Sequence, residues 1–293
     1  MRFGLVPLEF EPIVKRILSR GILDFSRFDI VEYVRSALEV EHISVIELTA
    51  DIQNIIPGSL SGNAIDRLNK LKDEKEHTYT VHLPLWSLEL ATFNDHVRNG
   101  SVESVVSTIN FLAPLEPEVY VLHSTGALAT EFSQLNFPQE MVNMINMQTT
   151  AYSAKSIEEI ITRTEIDPKQ IAIENLEFPF DFTRDVVDEY NTSICFDTGH
   201  LLSKQSGDES VLEFYMKHKD KISELHLHDG KASEPGVKGF FDHKALGTGD
   251  MPIREFLMEL LKNGFDGPLI FELTAEEAIA SLKKIEELVP EAL

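Results

Sequence analysis

Time after time the sequence runs a few apolar residues and then stops on a histidine or a carboxylate, and this habit restricts the fold more than any other feature. In TSICFDTGH, residues 192–200, Ile194, Cys195 and Phe196 read as a strand that is apolar on both faces and gives way to Asp197, Thr198, Gly199 and His200. Such a strand needs cover on both sides, as the strands of a parallel sheet have. Asp197 then stands at the carboxyl end of a buried strand, where α/β folds carry their chemistry. Taken alone, Asp197 reads as a helix cap and His200 as a surface residue. The arrangement recurs, however: YTVHL carries His82, VYVLH ends on His123, IAIE on Glu174, ISELHLH holds His226 and His228, and LIFE ends on Glu272.

Strands are expected over residues 3–8, 43–48, 79–83, 119–123, 171–174, 194–196, 222–228 and 269–272. Helices are expected over 11–20, 28–38, 63–72, 102–112, 183–190, 209–217, 253–262 and 276–288, with a less regular helical stretch over 132–166 broken near Pro138 and near 149–153. Eight short buried strands alternating with helices in 293 residues match the dimensions of a (β/α)8 TIM barrel. No linker or composition shift divides the chain, so residues 1–293 read as one domain. A doubly wound sheet is the competing α/β fold, but its glycine-rich dinucleotide fingerprint is missing after the first strand.

Side chains alternate faces along a strand, so counting back by two from each polar terminus picks out the inward face. Thr80 and Thr78 lie behind His82, Ala172 behind Glu174, and Cys195 and Ser193 behind Asp197; the opposite face carries Tyr79, Val81, Ile171, Ile173, Ile194 and Phe196. Small residues thus point into the barrel and bulky ones toward the helices, and the polar termini share its mouth. His226 and His228 differ by two and project together. Six of the ten histidines, namely His82, His123, His200, His226, His228 and His243, fall at strand ends or in the loops after them. A single strand-end histidine is usually structural. Six of them with Glu174, Asp197 and Glu272 form a donor set suited to zinc first, with manganese, cobalt or iron as alternatives, at one to three ions per chain.

The chain has one cysteine, Cys195, so no internal disulfide can form and a reducing compartment is expected. Acidic residues come too early for a signal peptide and no apolar run is long enough for a bilayer, which reads as cytoplasmic with no membrane partner. A net charge of −23 argues against a nucleic-acid partner, since the loops offer mainly Lys231, Lys238 and Lys244. Oligomeric state is left open.

His82, His123, Glu174, DTGH at 197–200, HLHD at 226–229, His243 and FEL around Glu272 together resemble the xylose-isomerase-like barrels, a superfamily that includes endonuclease IV and sugar isomerases and epimerases. The resemblance implies a four-ligand metal site of Glu174, Asp197, His226 and Glu272. His82 and His123, with Glu174 as bridge, resemble a further site of endonuclease IV, and His200 and His243 part of a third. That third site expects an aspartate where this chain has Phe241, with Asp242 next to it and His228 as the other candidate. Through YTVHLPL, VLH, DTGHLL, LHLHD and DHKALG the chain is most similar to cobamide-remodelling phosphodiesterases, which implies cleavage of the phosphodiester in a cobamide nucleotide loop.

Ligand count bears on the reaction. Epimerisation needs one metal and two proton-moving carboxylates, which Glu174 and Glu272 can supply, whereas phosphodiester cleavage gains from two or more ions roughly 4 Å apart. The surplus histidines therefore favour a metal-dependent phosphodiesterase on a small phosphorylated molecule. Glu174 and Glu272 would be at the reacting centre, with His243 or Lys231 taking up charge. A one-metal sugar or sugar-phosphate isomerase or epimerase, an endonuclease IV-like DNA repair enzyme and a non-catalytic binding barrel are the alternatives. Residues 83–86, LPLW, either wall a large ligand or pack on the rim. Met141, Met144 and Met147 are expected to pack in the core, Glu47 to reach the mouth, and Gly247 and Gly249 to let the last long loop turn close to the site.

Overall fold

Eight of the apolar segments pair edge to edge. In the computed structural model, which describes residues 1–7, 10–19, 21–233 and 240–293, they are β1 (Arg2–Leu5), β2 (Ile43–Thr49), β3 (Thr78–His82), β4 (Tyr120–Leu122), β5 (Ile171–Glu174), β6 (Ser193–Asp197), β7 (Ile222–His226) and β8 (Pro268–Phe271). They close into one barrel in the order β1-β8-β7-β6-β5-β4-β3-β2, every neighbouring pair parallel, with helices between the strands. The described residues thus form the expected (β/α)8 TIM barrel.

The alternation of side chains explains the closure. Tyr79, Val81, Ile171, Ile173, Ile194 and Phe196 join the large core between sheet and helices, while Val119, Val121, Ala172 and Cys195 form a separate apolar cluster inside the barrel. Each bulky outward side chain contributes about 1.5–3 kcal/mol by leaving water. Phe196 lies over Phe214 with ring centroids 4.4 Å apart, which docks helix Val211–His218 onto β6. Ser210 and Glu213 cap that helix reciprocally, and Thr274 and Glu277 do the same for Ala275–Leu288. No helix among the described residues is long and apolar enough to cross a membrane.

Several boundaries differ from expectation. The first helix is Phe10–Ile17, because the chain turns at Gly21 (φ 78°) into a short hairpin of Leu18–Ser19 and Ile22–Leu23. Leu8, expected in the first strand, Arg20, expected in the first helix, and Lys238 lie outside the described residues. The strand expected over 222–228 stops at His226, and Asp229–Lys231 then pairs antiparallel with Phe241–Lys244 where an irregular loop was expected. Helix Gln139–Thr164 passes unbroken through 149–153, since Thr149, Ser153 and Ser156 line up with Val142, Asn146 and Ile160 on its buried side. Met141, Met144 and Met147 fall on the other side and are 49%, 69% and 63% exposed, so they are not core residues.

Candidate metal centre at the barrel mouth

The carboxyl ends of β5 to β8 bring Glu174, Asp197, His226 and Glu272 together, their ligand atoms within 4.8 Å of one another. His226 Nδ1 lies 3.1 Å from Glu272 and 3.3 Å from Glu174. Asp197 does two things at once. Its Oδ1 accepts from the His200 N–H at 2.7 Å and so caps helix Thr198–Leu202, while its buried Oδ2 has no hydrogen bond among the described residues and faces the donors. The cap and the candidate ligand are thus the same side chain. Asn175 clamps it, donating to the Asp197 carbonyl at 2.9 Å and accepting from the Asp197 N–H at 2.7 Å.

A second group adjoins the first through Glu174. His123 Nε2 is 2.8 Å and His82 Nε2 3.5 Å from Glu174 Oε2. His82 is turned this way by its other nitrogen, since Nδ1 lies 3.0 Å from the Leu83 carbonyl and donates to it, leaving Nε2 as the donor atom for a metal. On the opposite side Asp197, His228, His243 and Glu272 form one group and His200, Asp242 and His243 another. His228 Nε2 lies 3.2 Å from Asp197 Oδ2, and His243 Nε2 3.3 Å from Glu272. Asp242 takes the position that Phe241 leaves without an acid: its carboxylate is 3.5 Å from His243 Nδ1 and 3.9 Å from His200 Nε2. Asp242→Asn is expected to remove one metal equivalent per chain and leave the others, as read by elemental analysis after dialysis against zinc.

The loop carrying Asp242 and His243 is organised by Asp229. Its Oδ2 accepts from the N–H groups of Gly247 (2.8 Å) and Thr248 (3.1 Å), and its Oδ1 from Gly230 and Met251, both at 2.9 Å. Gly249 sits so close that a Cβ there would come within 2.5 Å of Asp229 Oδ1, and Gly247 has φ 90°, so both glycines are required where the loop doubles back. His243 itself has φ 47°, an uncommon conformation for a side-chain-bearing residue that costs on the order of 1 kcal/mol. Gly199 of the DTGH segment makes room for the His228 ring, whose Nδ1 would lie 2.5 Å from an added Cβ.

The donors share a charge problem. Burial by itself would raise the carboxyl pKa of Glu174, but the imidazoles of His123 and His226 outweigh it and hold that carboxyl well below the usual range. Burial opposes the charge of His82, and the carboxylates of Glu174, Glu47 and Glu272 overcome it and raise the imidazole to about 9. His243 is likewise pushed to about 11, burial being overridden by Asp242 and Glu272. These imidazoles carry protons at neutral pH and must shed them to bind a metal. Metal affinity should therefore rise with pH through about 9, with protons released on binding. Calorimetry at about pH 7.5 in two buffers of different ionisation enthalpy measures the release, and zero protons would contradict it.

The donor chemistry fits divalent ions. Nitrogen and oxygen ligands in this mixture suit zinc and its neighbours. Both ring nitrogens of His226 and of His228 are buried without hydrogen bonds among the described residues, as Asp197 Oδ2 is. His77 also has both ring nitrogens buried without hydrogen bonds among the described residues, but it belongs to no donor group there and its ring meets Tyr79 edge-on as a packing group, so it is the convergence of donors that marks the mouth.

The description "Xylose isomerase-like TIM barrel" matches residues 41–291. The chain belongs to this family. As a xylose isomerase-like barrel, it is 27% identical over 245 residues to the uncharacterized protein MJ1311 of Methanocaldococcus jannaschii, covering 80% of this chain and 76% of that one. It is 21% identical over 225 residues to the probable endonuclease 4 of a Sulfurihydrogenibium species, covering 71% and 76%. The crystal structure of a D-tagatose 3-epimerase-like protein superposes with a TM-score of 0.73 at 21% identity, over 100% of this chain and 98% of that one, which establishes likeness of fold.

In this xylose isomerase-like barrel the histidines and carboxylates expected to hold metal all come to the mouth; Lys231, expected to take up charge there, packs on Phe241. Its ammonium sits 4.7 Å over the Phe241 ring on an exposed side chain, where Lys244 also approaches at 6.0 Å. Of the segment 83–86, Leu83 and Pro84 are buried, while Leu85 and Trp86 line a cavity of about 410 Å³ that reaches His123 and His200 and is completed by Leu88, Gly126, Leu176 and Glu177. Asp51 holds this segment in place, accepting from the Leu85 N–H at 2.8 Å. Glu47 is not at the mouth: it is fully buried inside the barrel beside Glu224 and His226. Burial and the Glu47 carboxylate push Glu224 well above the usual carboxylate range. Asn175, Asp229 and Glu224 were not among the residues expected from sequence. Glu224 carried a signal, two residues before His226 on the inward face.

Proposed function

We propose that this protein is a divalent-metal-dependent phosphodiesterase acting on a small phosphorylated molecule. The observation that carries the reading is the overlap of donor groups at one mouth: Glu174 belongs to two of them, as do Asp197, Glu272 and His243. A four-donor site suffices for isomerisation, so His82, His123, His200 and His243 are surplus to that chemistry. Divalent ions bound there would polarise phosphoryl oxygens, acidify water and offset charge on the leaving oxygen. The protein's own groups do the rest. Glu174 joins neighbouring donor groups and fixes their spacing. His243, half-exposed at the rim 3.3 Å from Glu272, would complete the donor group on that side once its proton is released. The cavity beside His123 and His200 can seat the part of the substrate that does not react. The nucleotide-loop phosphodiester of a cobamide is the first substrate to try, and the net charge of −23 supports a small molecule over DNA.

A second reading, a one-metal sugar epimerase, is favoured by the likeness of fold to the D-tagatose 3-epimerase-like protein and by Glu174 and Glu272 both lying within 3.3 Å of His226. One experiment separates the two. The zinc- or manganese-loaded protein is incubated with a cobamide, ketoses with their phosphates, and abasic duplex DNA, and its metal content is measured. Two or more ions with cleavage of the cobamide phosphodiester support the proposal; one ion with epimerised ketose replaces it by the second reading, and no bound ion overturns both.

A further inference from the structure

Beneath the mouth lies a pair of acids that neither reading of the reaction uses. Glu47 on β2 and Glu224 on β7 are fully buried, and an oxygen of each comes within 4.8 Å of the other and of a His226 nitrogen. Glu224 has a partner, since the Thr80 hydroxyl donates to its Oε1 at 3.1 Å. Neither oxygen of Glu47 has a hydrogen bond among the described residues. Burying a carboxylate in this state is costly, so its presence calls for a role.

The geometry of His226 supplies one. Its two ring nitrogens face different acids: Nδ1 lies 3.3 Å from Glu174 and 3.1 Å from Glu272 at the mouth, while Nε2 lies 3.5 Å from Glu47 Oε2 in the interior. A metal-binding imidazole is held in the right tautomer when its second nitrogen donates to a carboxylate, and such partners change metal affinity by about 10–100-fold.

We infer that Glu47 is a positioning residue for the metal centre, its carboxylate 3.5 Å from Nε2 of His226 favouring the tautomer with the proton on Nε2, so that Nδ1 is presented to a metal ion at the mouth. The inference rests on His226 being a ligand, which the phosphodiesterase and epimerase readings share, and does not depend on which of them holds. It gives a role to an acid kept in the barrel interior whose nearest cationic group is the His226 ring. It also explains why that acid sits on the far side of the one imidazole that Glu174 and Glu272 both approach.

The test is zinc affinity, measured by competition with a chromophoric chelator, alongside the melting temperature of the zinc-free protein. Glu47→Leu should weaken the tightest zinc site about 10–100-fold. Glu47→Gln, which keeps an acceptor oxygen, should weaken it less, and Glu224→Gln should leave it within a few-fold of wild type. Zinc-free Glu47→Leu should melt no lower than the wild type, because the buried carboxylate removed has no hydrogen bond and only a 3.5 Å charge contact to repay its burial. Unchanged affinity in Glu47→Leu overturns the inference, as does an equal loss in Glu224→Gln, which would mark a general effect of interior charge. Loss of a whole zinc equivalent at saturation also overturns it, since Glu47 would then be a ligand itself. His226→Ala separates the two levels of the argument: if it too keeps full affinity, the ligand assignment has failed and not the role of Glu47 alone.

Discussion

Glu174→Gln is expected to lower turnover by about a thousandfold or more and to reduce bound metal, with the melting temperature of the metal-free protein little changed. Glu174 Oε2 is 2.8 Å from His123 and 3.5 Å from His82, and Oε1 is 3.3 Å from His226 and 3.5 Å from His200, so one side chain joins donors from β3, β7, the loop after β4 and the helix after β6. An amide is nearly isosteric, which preserves the packing, but it cannot offer two anionic oxygens to two ions. A loss of about 4 kcal/mol of transition-state stabilisation corresponds to the thousandfold fall. Elemental analysis and steady-state rates on the same preparation decide the matter, and a variant with wild-type rate and metal content would remove Glu174 from the centre.

The second large effect is on stability. Stripping the protein with a chelator and restoring zinc at about a thousand times its dissociation constant should stabilise the fold by about 4 kcal/mol. For a chain of this size that corresponds to a rise in melting temperature on the order of 10 °C. The cause lies at the mouth: Asp197, His226 and His228 are buried, and an ion would engage Asp197 Oδ2 and ring nitrogens that have no hydrogen bond among the described residues. The rise should be smaller at about pH 6 than at about pH 8, because His82 and His243 hold their protons more firmly against the metal in acid. Differential scanning calorimetry at the two pH values checks both the size and the sign, and an equal or larger shift in acid would contradict the assignment of these imidazoles.

Much of this centre was legible in the sequence because a strand has period two. With His82, Glu174 and Asp197 at strand ends, Thr80, Ala172 and Cys195 had to face inward with them, and Ala172 and Cys195 do share the interior cluster. Depth was not legible. Glu47 and Glu224 obey the same parity, yet how far along the barrel axis each lies depends on the stagger between strands, which no single strand encodes. The choice of Asp242 over Phe241 was hidden for a related reason. The ribbon of Asp229–Lys231 and Phe241–Lys244 has a register shift, so which of two adjacent residues faces the donors depends on pairing between distant segments. Helix Gln139–Thr164 misled in the opposite direction, since its buried stripe is made of small polar residues that look like breaks, while its methionines look like core.

Those methionines have a chemical consequence. Three thioethers standing in water on one helix are open to peroxide, and converting them to sulfoxides adds oxygen to a surface that is already solvated. The one thiol, Cys195, is by contrast wholly enclosed, so the same oxidant would meet these thioethers and not the sulfur of the barrel interior.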